Sequence, residues 1–199
     1  MRNQIRKRIR QLRRELSAEE QAEAAKSLLA QLKAIPGLFS FNSYALYLPS
    51  DGEIDTAPIV DELRRSSSEL YLPVIDPDLP HAMTFRRYDE FSTLTPNRYG
   101  ILEPDEENQT IAPDDLDVIF APLVAFDSRG NRLGMGGGYY DSLISSLRQS
   151  GREVLVIGLA HNCQKVEELP VCAWDQPISV IATPDAVYEF KQVKEHESE

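Results

Sequence analysis

Apolar positions near the N-terminus recur on a helical period. Ile5, Ile9, Leu12 and Leu16 are separated by four, three and four residues, so they share one face and turn Arg2, Arg6, Arg10 and Arg13 toward another. An amphipathic helix with a basic stripe is expected. Charged side chains are ordinarily solvated, and that is the expectation for Arg10, Arg13 and Arg14. Ser17 followed by Glu20 has the spacing of a capping box, so a second helix should run through Leu28, Leu29 and Leu32 until Pro36 and Gly37 stop it. The two form a helical hairpin.

Beyond residue 40 the period changes. "SYALYLP", "ELYLPVI", "DVIFAPLVAF", "EVLVIGLA" and "PISVIAT" are short apolar runs, rich in β-branched and aromatic residues and bounded by Pro, Asp or Gly, as strands are. Helical patterns, "TAPIVDELRR" and "YYDSLISSLRQ", lie between some of them. Apolar strands alternating with helices predict an α/β fold: a single three-layer α/β/α domain over residues 1–190, with a mostly parallel central sheet behind the N-terminal hairpin. Sheets of this kind bind ligands outside the carboxyl ends of their strands. The last segment, "KQVKEHESE" (191–199), is expected to be a disordered tail.

Composition narrows the partners. The chain has 199 residues and a net charge of −11, which opposes summed electrostatic attraction to nucleic acid or to an anionic membrane. An anionic ligand would therefore need a local basic cluster. No apolar run is long enough to span a bilayer, and the basic N-terminus lacks the apolar core of a signal peptide. A cytoplasmic monomer is expected. Cys163 and Cys172 form no CxxC pair and, as reduced thiols, should behave as small buried hydrophobes. His81, His161 and His196 are too scattered for a zinc site.

The segment "NRLGMGGGYYD" (131–141) joins a predicted strand to a predicted helix. A glycine-rich turn at a helix N-terminus presents unpaired N–H groups, and without a Cβ its backbone can approach a phosphate closely. A branched side chain at Gly137 should intrude there and resist any positive φ. The segment is not a Walker A loop, and Tyr139 stands where a dinucleotide fingerprint has its last glycine. A tight strand-to-helix turn with no ligand is the other reading. Arg132 could offer a forked donor to a phosphate, and Asp141 could hold Mg²⁺ or complement the helix dipole.

"RLGMGGGYYD" preceded by "PLVAFD", with "LPSDGEIDT" upstream, "YGILEP" between and "GLAHNCQKVEELP" downstream, resembles the 5-formyltetrahydrofolate cyclo-ligase family, also called methenyltetrahydrofolate synthetase. The resemblance implies an ATP- and Mg²⁺-dependent ligase that converts 5-formyltetrahydrofolate to 5,10-methenyltetrahydrofolate. The formyl oxygen of an amide leaves poorly until it is phosphorylated; N10 then attacks the activated carbon, closes the ring and expels phosphate.

Carried over position by position, the resemblance places ATP on Arg2, Arg6, Arg132, Leu133, Gly134, Met135, Gly136, Gly137, Gly138, Tyr139 and Tyr140, with Arg132 as the catalytic contact. Arg2 departs from the lysine usual at its position. Substrate falls on Leu48 and Glu53, with Met135, Gly136, Gly137, Gly138 and Tyr139 shared. Glu53 suits the adjacent donors of a pterin ring. Metal falls on Asp141 and on Asn162, where the family commonly has aspartate. His161 and Cys163 are expected to be packing or pocket wall. Two other classes remain open: a sugar-phosphate isomerase or CoA-transferase-like enzyme, which would use a carboxylate base and no ATP, and a non-catalytic nucleotide- or folate-binding protein.

Overall fold

The computed structural model describes residues 1–190; the expected tail at 191–199 lies outside them. Helix α1 (Arg2–Glu15) and helix α2 (Ala18–Lys33) are joined by Leu16 and Ser17. The capping box forms: Ser17 Oγ accepts from Glu20 N–H at 3.2 Å, and Glu20 Oε2 accepts from Ser17 N–H at 2.7 Å. Such a cap contributes about 1 kcal/mol. The hairpin's two apolar faces serve different neighbours. Leu28 and Leu32 of α2 enter the main core, whereas Ile9 of α1 packs on Val124, Ala125, Leu133 and Leu169.

An eight-stranded sheet organises the rest. Its strands are β1 (Ser43–Ala45), β2 (Glu69–Ile75), β3 (Met83–Arg87), β6 (Thr110–Ile111), β7 (Val118–Pro122), β10 (Leu155–Leu159), β11 (Val180–Ala182) and β12 (Val187–Glu189), in the order β12-β11-β10-β7-β1-β2-β3-β6. β11, β10, β7, β1 and β2 run parallel, and antiparallel β12 and β3 flank them. Two ribbons stand apart, β4 (Leu94–Pro96) with β5 (Leu102–Pro104), and β8 (Ala125–Phe126) with β9 (Arg132–Leu133).

The central strands are apolar throughout because both faces are covered. Alternate residues Tyr44, Val118, Phe120, Ile157 and Leu159 meet α2 and α3 (Ala57–Arg65) on one face. Ala45, Tyr71 and Ile119 meet Leu143 and Leu147 of α4 (Tyr139–Ser150) on the other. Three layers result. The predicted strand "DVIFAPLVAF" is divided: β7 stays in the sheet, while β8 leaves it to pair with β9 beneath α1. β1 and β7 are neighbours whose connections depart in opposite directions, to β2 and to β10. A cleft for ligands is expected beyond the carboxyl ends of such a pair. Among the described residues no helix is long and apolar enough to cross a membrane.

Candidate active site

The glycine loop is built from a tied turn. Asp127 is buried; its Oδ1 accepts from the N–H groups of Arg129 and Asn131, and its Oδ2 from Asn131 Nδ2 and from Leu169 N–H at 3.1 Å. This reverses the chain from β8 into β9 and delivers Arg132 inward. The loop then runs through Gly134 and Met135 to Gly138, which sits at φ 72° ahead of α4. Gly136 has φ 109°, a conformation that L side chains rarely adopt. Gly137, expected to need that freedom, is not among the positive-φ residues. Its constraint is contact, because an added Cβ would lie 2.9 Å from the Tyr139 ring.

Arg132 lies at the centre. Its side chain is 1% exposed, and Nη2 donates to Asp141 Oδ1 at 2.6 Å. Its Nε is buried without a partner. Burial pushes its pKa down against the pull of Asp141, so the cation is held in place by that carboxylate. The same Oδ1 accepts from Gln176 N–H at 3.0 Å. This brings in Asp175, which takes Arg2 as a bidentate partner at 2.6 and 2.9 Å. Burial opposes ionisation of Asp175, but the hydrogen bonds from Arg2 and from Cys172 N–H outweigh it and hold the carboxyl below its ordinary range. Arg6 Nε donates to Gly134 O at 2.8 Å. Arg6 thus meets the glycine loop, and Arg2 the carboxylate beside Gln176.

The other arginines of the stripe are not solvated as a set. Arg13 is fully buried, and Arg10, Arg13 and Arg14 all bind Asp51, whose backbone sits at φ 53°. Asp51 belongs to the segment of the proposed folate residues. Leu48 is half-buried there. Glu53 Oε2 accepts from Ser50 N–H at 3.1 Å. Burial pushes Glu53 up against the hydrogen bond from Ser50 and the charge of Arg13. Tyr140, which follows the glycines, feels the charges of both Glu53 and Arg132.

Loops unforeseen as site elements approach the same loop from the sheet's far edge. His81, between β2 and β3, donates from Nδ1 to Gly137 O. Arg98 and Tyr99, between β4 and β5, reach the Tyr139 hydroxyl at 2.9 and 3.3 Å. Met135 is 52% exposed, as a wall open to a ligand would be.

Asn162 follows the buried His161. It begins the short 3₁₀ turn after β10, its Oδ1 accepts from Asp185 N–H at 3.3 Å, and it shares a cavity of about 400 Å³ with Leu16, Glu20 and Asp185. The chain that ties to Asp141 is that of Gln176, whose neighbour Asp175 keeps its own carboxylate on Arg2 and Cys172 N–H. His161, 2% exposed, is packing as expected, and Cys163 and Cys172 are half-buried free thiols. Burial, then the charge of Arg13, lowers His161 to about 4. A depressed histidine contributes stability that is complete above its unfolded value of about 6.5 and is lost as pH falls toward about 4, a total of about 3 kcal/mol at 1.36 kcal/mol per unit. Urea unfolding at pH 7 and 4.5 should show this loss in the native chain and a smaller one in His161→Gln; equal losses would remove His161 as the cause.

The 5-formyltetrahydrofolate cyclo-ligase family model matches residues 1–184. The 5-formyltetrahydrofolate cyclo-ligase of Escherichia coli K12 is 39% identical over 183 residues, covering 92% of this chain and all of that protein. That of Haemophilus influenzae is 39% identical over 178 residues, 89% of this chain and 94% of its own. The solution structure of Aquifex aeolicus 5,10-methenyltetrahydrofolate synthetase superposes with a TM-score of 0.80 at 32% identity, covering 98% of this chain and 97% of that one. Matched by the family model over residues 1–184 and by relatives of this identity across nearly its whole length, the chain belongs to the 5-formyltetrahydrofolate cyclo-ligase family.

Proposed function

We propose that the chain closes 5-formyltetrahydrofolate to 5,10-methenyltetrahydrofolate at the expense of ATP. The observation that carries this reading is the gathering of Arg2, Arg6 and Arg132 at the glycine loop and the carboxylates beside it. Phosphate oxygens would replace the protein acceptors of Arg2 and Arg6, while Gly134, Met135, Gly136, Gly137 and Gly138 let the nucleotide lie on backbone. The γ-phosphoryl group passes to the formyl oxygen and ADP departs. N10 then attacks the formyl carbon, its proton is lost, and the oxygen leaves as inorganic phosphate. The protein's part is alignment and cancellation of developing charge, with Arg132 the catalytic contact. Glu53 and Leu48 would hold the pterin, with Tyr139 beside it.

Among the described residues no cluster of three or more acidic, histidine or cysteine ligands could hold a metal. Mg²⁺, which keeps waters and often takes only one or two carboxylates plus phosphates, fits Asp141 and Asp175. Asp141 Oδ1 accepts from Arg132 and from Gln176 N–H, and its other oxygen would be the one offered to the cation. Bound there, the ion would neutralise phosphate charge. The free thiols Cys163 and Cys172 suit a reducing compartment such as the cytoplasm.

ADP formation measured with and without 5-formyltetrahydrofolate tests the reading. Release that depends on the folate supports it. ATP binding without release would favour a non-catalytic binding protein, and no interaction with ATP would favour an isomerase or CoA-transferase-like enzyme.

A further inference from the structure

Arg13 has no role in the proposed chemistry, yet its side chain is completely buried. Its Nη2 donates to Asp51 O at 3.0 Å and lies 3.1 Å from Asp51 Oδ2, and its Nη1 donates to Leu123 O at 3.3 Å, just beyond β7. One guanidinium therefore ties the 48–53 segment, which follows β1, to the end of β7, at the point where the sheet's connections diverge. Glu53 Oε1 is 3.9 Å from Nη1, close enough to feel the charge and too far for a hydrogen bond. The segment lies directly on α1: an added Cβ at Gly52 would come within 3.0 Å of the Arg13 backbone.

We infer that Arg13, clamped by Asp51, is a positioning residue that sets the Glu53 carboxylate for the folate. The inference rests on Glu53 being a folate contact. Arg13 gives Glu53 a fixed place and a neighbouring cation without occupying it as a partner. The charged and titratable groups around Glu53 are Arg13 from α1, Asp51 in its own segment, Tyr47 from the extension of β1, and Tyr140 from α4; the His161 ring lies against its backbone. Among them Arg13 is the group that favours the ionised carboxylate, against burial and Asp51. Removing it would raise Glu53 further, so folate binding would fail at a higher pH than in the native chain.

Steady-state kinetics of the full chain test this, with 5-formyltetrahydrofolate varied at saturating MgATP and then the reverse. Arg13→Met should raise KM for the folate about tenfold or more, the scale on which misplacement of a binding group acts. KM for ATP and kcat should change less than about threefold, because the clamp does not touch the nucleotide. The acid limb of kcat/KM for folate should move to higher pH. Arg13→Lys should restore the limb, which needs charge, and only part of KM, which needs the fork. Asp51→Asn keeps a residue that tolerates positive φ and loses the counter-ion, so it should raise folate KM even if Arg13→Met folds poorly. Glu53→Gln should raise folate KM and abolish the limb; if it leaves both unchanged, the assignment of Glu53 fails and the inference with it. If Glu53→Gln raises folate KM while Arg13→Met and Asp51→Asn keep the native value, or lose folate and ATP affinity equally with melting temperature, the inference alone is overturned.

Discussion

Arg132→Lys should lower kcat by about two orders of magnitude, the cost of removing one donor aimed at developing transition-state charge. Lysine keeps a cation that can reach Asp141, so the melting temperature should change little, whereas the planar fork that serves Asp141 and a phosphate together is lost. Alanine is a poorer probe. The side chain is 1% exposed and paired with Asp141, so Arg132→Ala would leave a cavity and a carboxylate without its counter-charge, and activity and stability would fall together. Stopped-flow turnover alongside thermal unfolding separates the two variants. A lysine variant with native kcat would make Arg132 a structural cation only.

Asp141→Asn should raise the Mg²⁺ concentration for half-maximal activity about tenfold or more, because an amide oxygen binds a hard dication more weakly than a carboxylate. Asp175→Asn should act in the same direction, since Gln176 beside it donates to Asp141. Asn162→Asp should leave the midpoint unmoved, since that side chain is engaged with Asp185. Mg²⁺ titrations at fixed ATP decide the matter. If Asn162→Asp tightens the midpoint and Asp175→Asn does not shift it, the metal site has been assigned to the wrong residue.

The reach of each signal along the chain decides where the sequence is legible. Local signals, such as the Ser17–Glu20 box and the glycine loop, act over a few residues and are read directly from spacing. The central strands were visible because burial on both faces makes them apolar throughout. β3, β6 and β12 were not, being short or partly polar strands at the sheet's margins. Asp175 is 34 residues beyond Asp141 by number, and only the return of the chain after β10 brings its neighbour Gln176 to that carboxylate. The last recognisable block, "GLAHNCQKVEELP", ends at Pro170, short of Asp175. Arg13 shows a different limit. Helical periodicity assigns it to the basic stripe, but which charges on a helix become buried depends on what packs over them, here the segment around Asp51 and Gly52. Arg98 and Tyr99 reach Tyr139 through a two-stranded ribbon whose local pattern does not announce itself.

The most direct test of the proposed activity is to mix the purified chain with MgATP and 5-formyltetrahydrofolate and follow the near-ultraviolet absorbance of the methenyl product while ADP is counted. The account predicts that the absorbance rises with one ADP released per ring closed, and that neither change occurs when ATP or the folate is omitted. A folded protein that forms no methenyl product under these conditions would contradict it.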